Sequence, residues 1–74
     1  MSEIDESLIG EIYDLIDDCI FALEYLGVVL IMVEELVKDE RVKNNIIERQ
    51  KNVNELIDRL KIMRGRLKII IKEM

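Results

Sequence analysis

The sequence contains no histidine, no proline, no tryptophan and only one cysteine. Without histidine, the chain lacks the usual general acid or base near neutral pH, and a Ser-His-Asp triad is excluded. Because Cys19 is alone, neither an intrachain disulfide nor a soft-ligand zinc site can form, and a reducing cytoplasm is the expected location. We therefore expect a protein that is not an enzyme and that holds no cofactor and no metal.

Glycine is also scarce, and its three occurrences are scattered, so the chain has no glycine-rich phosphate loop. One acidic cluster, Glu11, Asp14 and Asp18, has the spacing of a single helical face, and oxygen-rich clusters of this kind can hold Mg²⁺ or Ca²⁺. The basic residues of the second half favour a simpler interpretation, in which this face is solvated or forms ion pairs with those residues.

Long apolar runs are missing as well. The longest, residues 19–33, contains Glu24 and Gly27 and is short for a bilayer, which is typical of a buried helix. The acidic first residues predict no secretory leader. No membrane partner is expected.

What the chain does contain is a strict division of charge. Residues 1–37 carry ten acids and no base, whereas residues 38–74 carry eleven bases and six acids. The two halves thus have charges of −10 and +5, which give the net charge of −5. This division indicates a chain folded back on itself, with acid facing base.

Apolar residues recur at alternating steps of three and four in both halves, as in a heptad seam. In the first half the seam is Ile9, Ile12, Ile16, Cys19, Leu23, Leu26, Leu30, Val33 and Val37. In the second half it is Val42, Ile46, Arg49, Val53, Leu56, Leu60, Met63, Leu67, Ile70 and Met74. The step of five between Val37 and Val42 breaks the phase and predicts a turn.

These patterns predict an all-α fold: one helical-hairpin domain over residues 1–74, an antiparallel two-helix hairpin. The first helix is expected over about residues 2–38, with Ser2 and Asp5 as a capping box, and the second over about 42–73. The turn is expected within residues 38–45, at 38–41 or alternatively at 43–45. A β-strand over residues 28–33 is the alternative for the first helix, because that stretch is rich in β-branched residues.

The first helix has more apolar surface than one neighbouring helix can cover, so we expect an interface. The simplest closure is a homodimer that forms a four-helix bundle, although another protein could cover the same surface. A close helix crossing at Gly27 would explain a glycine inside a helix. The residues expected at the interface are Phe21, Tyr25, Val28, Val29, Ile31 and Met32.

Two residues of the seam need separate interpretation. Cys19 is expected to be an ordinary buried core residue. Arg49 interrupts the apolar seam, so it either sets the register of the helices or lies near a bundle end and extends outward, close to Glu34 and Glu35.

The function predicted from these features is that of a small helical adaptor or regulatory protein acting through protein contacts and self-association. The alternative is a nucleic-acid-binding regulator, because bases share a face near the end of the second helix. The predicted architecture resembles that of the small RNA-binding hairpin dimers known as plasmid repressor-of-primer proteins. The abundance of Ile, Glu and Lys is compatible with a thermophile or with an AT-rich genome, including that of a virus or plasmid. The bases expected to contact nucleic acid are Lys61, Arg64, Arg66, Lys68 and Lys72.

Overall fold

The structure, a computed structural model, describes residues 6–74 as two helices packed against each other. Helix α1 spans Glu6–Leu36 and helix α2 spans Glu40–Glu73. The molecule is a rod with principal extents of 57 × 18 × 14 Å. The predicted all-α fold of two packed helices is confirmed, and neither helix within residues 6–74 combines the length and apolarity that a membrane crossing needs.

The connection between the helices is shorter than predicted and consists of residues 37–39. Asp39 is the N-cap of α2: its side chain accepts a hydrogen bond from the Arg41 backbone N–H at 2.9 Å. Residues 43–45, the alternative turn, lie inside α2, and residues 28–33, the alternative strand, lie inside α1. The predicted capping box at Ser2 and Asp5 falls outside the described residues.

The helices run antiparallel, as three side-chain pairs between them show. Near the turn, the Gln50 amide donates a hydrogen bond to the Glu34 carboxylate at 3.3 Å. In the middle of the rod, Lys61 Nζ lies 4.0 Å from Glu24 Oε2. Towards the far end, Arg64 pairs with Asp17. The acidic first helix therefore faces the basic part of the second, as the division of charge predicts.

The buried core of the hairpin is small. Among the described residues, only Ile9, Ile20, Val53 and Ile57 expose less than a tenth of their surface. Ile20, Val53 and Ile57 form one cluster, against which half-buried residues pack: Ile16, Leu23, Leu30 and Leu60. Burial continues every seven residues along both helices, so the interface is a genuine heptad seam.

This seam is rotated relative to the predicted one, and half of the prediction is therefore wrong. The apolar residues predicted to face the other helix but found exposed are Ile12, Cys19, Leu26 and Val33 in α1, Val42, Leu56, Met63 and Ile70 in α2, and Met74 directly after α2. Arg49, for which an outward-extending side chain is one of the two predicted alternatives, is exposed as well. Ile20 and Ile57, which lie one residue beyond the predicted Cys19 and Leu56, are buried instead. In particular, Cys19 is exposed and not a core residue.

The explanation predicted for Gly27, a close helix crossing, is also wrong for this hairpin. A β-carbon at this position would lie 4.0 Å from Val53 Cγ1, which is an ordinary van der Waals distance. The helices are therefore far enough apart for alanine at position 27.

Candidate protein-interaction surfaces

One long side of the hairpin carries an apolar strip, interrupted by Arg49, which we call the open face. Its apolar members come from the exposed halves of the two predicted seams, and each exposes between 38% and 49% of its surface. Side chains seven residues apart lie on the same side of a helix, which places these rows along the rod. The apolar residues of the open face are Ile12, Leu26, Val33, Val42, Leu56, Met63 and Ile70.

The middle of the open face is a shallow groove between the two helices. Leu26 and Leu30 of α1 line it together with Val53 and Leu56 of α2. The polar residues at its border are Arg49 and Asn52. Both helices thus contribute apolar side chains to one concave strip, whose shape suits the ridge of another helix.

The opposite long side, which we call the polar edge, has a different chemistry. It carries the three side-chain pairs that join the helices, and its central groove is lined both by polar residues, among them Glu24, Gln50 and Lys61, and by the apolar Val28 and Ile31. Charged and amide groups already engaged across this edge would lose solvation if another chain covered them. The polar edge is therefore suited to solvent, and the open face to a partner.

The residues predicted to form the interface are centred on the side of α1 that points away from α2, which we call the back face. At about 100° per residue they span an arc of about 160°. Phe21 and Tyr25 expose 74% and 69% of their surfaces, and only Val29 is half-buried. The structure thus brings Phe21, Tyr25, Val28 and Met32 together on one exposed surface, whereas Val28 and Ile31 also reach the groove of the polar edge.

The hairpin exposes much more surface than a compact protein of its mass. Its accessible surface is 6243 Å², whereas a compact monomer of 8.7 kDa would expose about 4,700 Å². The excess is about 1,500 Å² per chain, part of which follows from the elongated shape. If two chains removed most of this excess from each other, the interface would have the size found in obligate homodimers, about 2,000–5,000 Å².

The bases predicted to contact nucleic acid are divided by the structure. Lys61 and Arg64 are engaged with Glu24 and Asp17 of α1. Within residues 6–74, no ion pair involves the remaining three, which are Arg66, Lys68 and Lys72. Of the five predicted bases, those left for an outside anion thus lie in the last turns of α2.

The acidic cluster of Glu11, Asp14 and Asp18 is exposed. In the part of the chain that the structure describes, no three acidic or cysteine side chains are arranged to hold a metal ion. Asp17, which is not part of that cluster, makes the ion pair with α2.

The sequence analysis did not identify the open face as a separate surface. The sequence does contain a signal for it. Gln50 and Arg64 of α2 pair with acidic residues of α1, so the side that carries these pairs is the polar edge and the opposite side is the open face. Comparison of the chain with known protein families, with curated proteins and with solved structures gives no match. Functional inference therefore depends on these surfaces.

Proposed function

We propose that this protein is a non-enzymatic helical interaction protein that self-associates through the open face and binds a second protein through the back face of α1. The observation that carries the proposal is the amount of exposed apolar surface on a hairpin whose own core is so small. Such a protein would act as an adaptor or regulatory subunit, by docking of helix faces. Its cytoplasmic location and its viral or plasmid origin stay predictions from the sequence.

Two surfaces allow two roles at once. The open face lies beside the hairpin seam, where a second pair of helices completes a bundle. Phe21, at the centre of the back face, lies opposite the hairpin seam and would remain exposed after pairing. Large aromatic residues at an exposed apolar surface are typical anchors of protein interfaces.

The self-association is tested by light scattering coupled to size-exclusion chromatography. Wild-type protein is expected at twice the chain mass of 8.7 kDa. Leu26→Asp combined with Leu56→Asp places charges in the groove of the open face and should give the monomer mass. The matched control, Phe21→Asp combined with Val28→Asp, introduces the same two charges on the back face and should leave the mass unchanged. A wild-type monomer at all concentrations would contradict self-association.

Cys19 offers a second measurement, because its thiol is exposed in the hairpin and lies in the row of the open face. Its reaction with a thiol reagent should slow as the protein concentration rises and the open face becomes covered. The double aspartate variant should react at one rate whatever its concentration. A concentration-independent rate in wild type would mean that the thiol stays outside the interface.

The role of the back face is tested by affinity capture, with wild-type protein and the Phe21→Asp variant as baits that have the same oligomeric state. A partner of the back face should be retained by wild type and lost with the variant, because the aromatic anchor has become a charge. Binding that survives Phe21→Asp and Tyr25→Asp would place the partner on another surface.

Nucleic acid binding remains the second candidate. It is favoured by the basic residues at the end of α2 that form no ion pair within residues 6–74. Fluorescence anisotropy with labelled RNA and DNA duplexes would show binding that weakens steeply with salt. Lys68→Glu combined with Lys72→Glu should abolish that binding without changing the mass. Absence of binding at low salt would leave the protein-interaction role.

A further inference from the structure

We infer that the occupant of the open face is a second copy of this chain, oriented so that both turns lie at the same end and each α1 neighbours the partner's α2. This inference rests on the proposed function, because it specifies how the self-associated molecule is arranged. It is carried by the charged residues that border the open face on each helix.

The border of the open face differs between the two helices. On α1, Glu11 and Asp18 directly precede Ile12 and Cys19 of the open face. On α2, Arg59 and Arg66 each lie three residues after an apolar residue of the open face, Leu56 and Met63. Among residues 6–74, the structure assigns no ion pair to any of these four charged residues. The open face is thus flanked by free base on α2 and, beyond one row of small and apolar residues, by free acid on α1.

The levels of these charges along the rod differ by about one to two helical turns. Within the hairpin, four contacts give the register: Asp17 with Arg64, Gly27 with Val53, Glu24 with Lys61 and Glu34 with Gln50. A two-fold axis along the rod keeps these levels when the partner's α2 replaces the chain's own α2. Asp18 then lies about one to two helical turns from the partner's Arg59, and the same holds for Glu11 and the partner's Arg66.

The side chains between these charges suit the contact. Leu15 and Ala22 lie on α1 between the open face and the acids, and both are exposed in the hairpin. The long apolar stem of an arginine can cover such residues while its guanidinium reaches a carboxylate beyond them. The partner's Arg59 would cross this apolar row to reach Asp18.

Two other arrangements bring together the wrong charges. If α1 packed beside the partner's α1, acid would face acid, because residues 1–37 contain no base. If the turns lay at opposite ends, the acidic start of α1 would meet the first half of α2. Residues 40–57 there carry four bases and three acids, whereas residues 58–74 carry six bases and two acids. The arrangement with both turns at one end therefore places the acids beside the larger excess of base.

The test uses two complementary variants and a mixture of them. The acid-side variant combines Glu11→Arg with Asp18→Arg, and the base-side variant combines Arg59→Glu with Arg66→Glu. Each variant alone places like charges at every α1–α2 contact between copies, and its homodimer should weaken. In an equal mixture, every such contact between the two variants joins opposite charges. Native mass spectrometry should then show heterodimers in excess over homodimers, on the order of tenfold.

The control has the same change of net charge away from the open face. Asp14→Arg with Glu35→Arg alters the outer side of α1, and Lys51→Glu with Lys72→Glu alters the outer side of α2. This pair should mix in the statistical proportion, so that long-range charge effects are separated from the contact itself. Circular dichroism on each variant confirms that helices are present.

The outcomes separate the arrangement from the proposed function. Preferred heterodimers in the test pair and statistical mixing in the control pair would support the arrangement. Statistical mixing in both pairs, with wild type still dimeric, would overturn the arrangement and leave self-association standing. A monomeric wild type measured first would overturn both. Pairing of charges within one chain cannot produce the heterodimer preference, because mixing does not change contacts inside a chain.

Discussion

Two glycines, Gly27 and Gly65, lie in the interiors of α1 and α2, where an alanine would meet no obstacle. A β-carbon at position 65 would have nothing within 4 Å, and one at position 27 would meet only Val53 at an ordinary distance. Alanine favours the helix over glycine by about 1 kcal/mol at an interior position. Each substitution to alanine should therefore raise the free energy of unfolding by about that amount, as measured by urea unfolding at fixed protein concentration.

Gly10→Ala serves for comparison, because position 10 also lies inside α1 and a β-carbon there would have nothing within 4 Å. This substitution should likewise raise the free energy of unfolding. If Gly27→Ala alone lowered the stability, the helices would have to approach each other more closely in the assembled protein than they do in the hairpin.

Arg49 is the charged residue within the row that otherwise forms the open face, and it borders the groove with Leu26 and Leu56. Leucine at this position would continue the apolar row and remove a guanidinium from the edge of the contact. Arg49→Leu should tighten the dimer by about 1–2 kcal/mol, as measured from the mass distribution on dilution. Lys51→Leu, on the outer side of α2, should have no such effect.

Formation of larger species by Arg49→Leu would instead show that this arginine limits the number of chains, as single polar residues do in coiled coils. An unchanged dissociation constant would place Arg49 outside the interface.

At the scale of the elements, the start of α2 depends on Asp39. Its side chain satisfies the backbone N–H of Arg41, which has no partner within the helix. Asp39→Ala should lower the free energy of unfolding by about 1 kcal/mol. Asp39→Asn should lower it much less, because asparagine caps a helix about as well as aspartate does. Urea unfolding measures both, and an equal loss in the two variants would assign the effect to charge at the helix start and not to the hydrogen bond.

The two helices and their antiparallel pairing could be predicted from the sequence, because the heptad spacing and the division of charge are long-range patterns. The face that α1 turns towards α2 could not. Residues such as Ile16, Cys19, Ile20 and Ala22 make α1 apolar on several sides, and periodicity alone cannot select among them. The selection comes from α2, where Gln50 and Arg64 reach acids of α1 and fix the rotation.

The candidate interaction surfaces, like the packing of the helices, could be predicted from the sequence only in part. The exposure of Phe21 and Tyr25 could be predicted because α1 carries more apolar residues than one neighbouring helix can cover. The open face could not be separated from the hairpin seam, because both belong to one heptad pattern. In a four-helix bundle, the two rows of that pattern contact two different neighbouring helices. The sequence pattern describes a bundle better than it describes an isolated pair of helices.

At the scale of the whole molecule, stability should depend on protein concentration. Only four described side chains are nearly buried in the hairpin, which is a small core for 74 residues. If folding is coupled to pairing, a tenfold increase in concentration contributes about 1.4 kcal/mol to the dimer and should raise the Tm by about 4 °C. Thermal unfolding followed by circular dichroism at two concentrations measures this. An unchanged Tm would mean that the hairpin is stable as a single chain.

The small core also has a consequence for the lifetime of the chain in a cell. Proteases cut opened chains, and the rate of cutting follows the population of the opened state when opening is fast. For a chain that folds by pairing, this population grows as copies become scarce. Scarcity would then accelerate degradation and abundance would slow it, so the amount of protein would respond more than proportionally to a change in its synthesis.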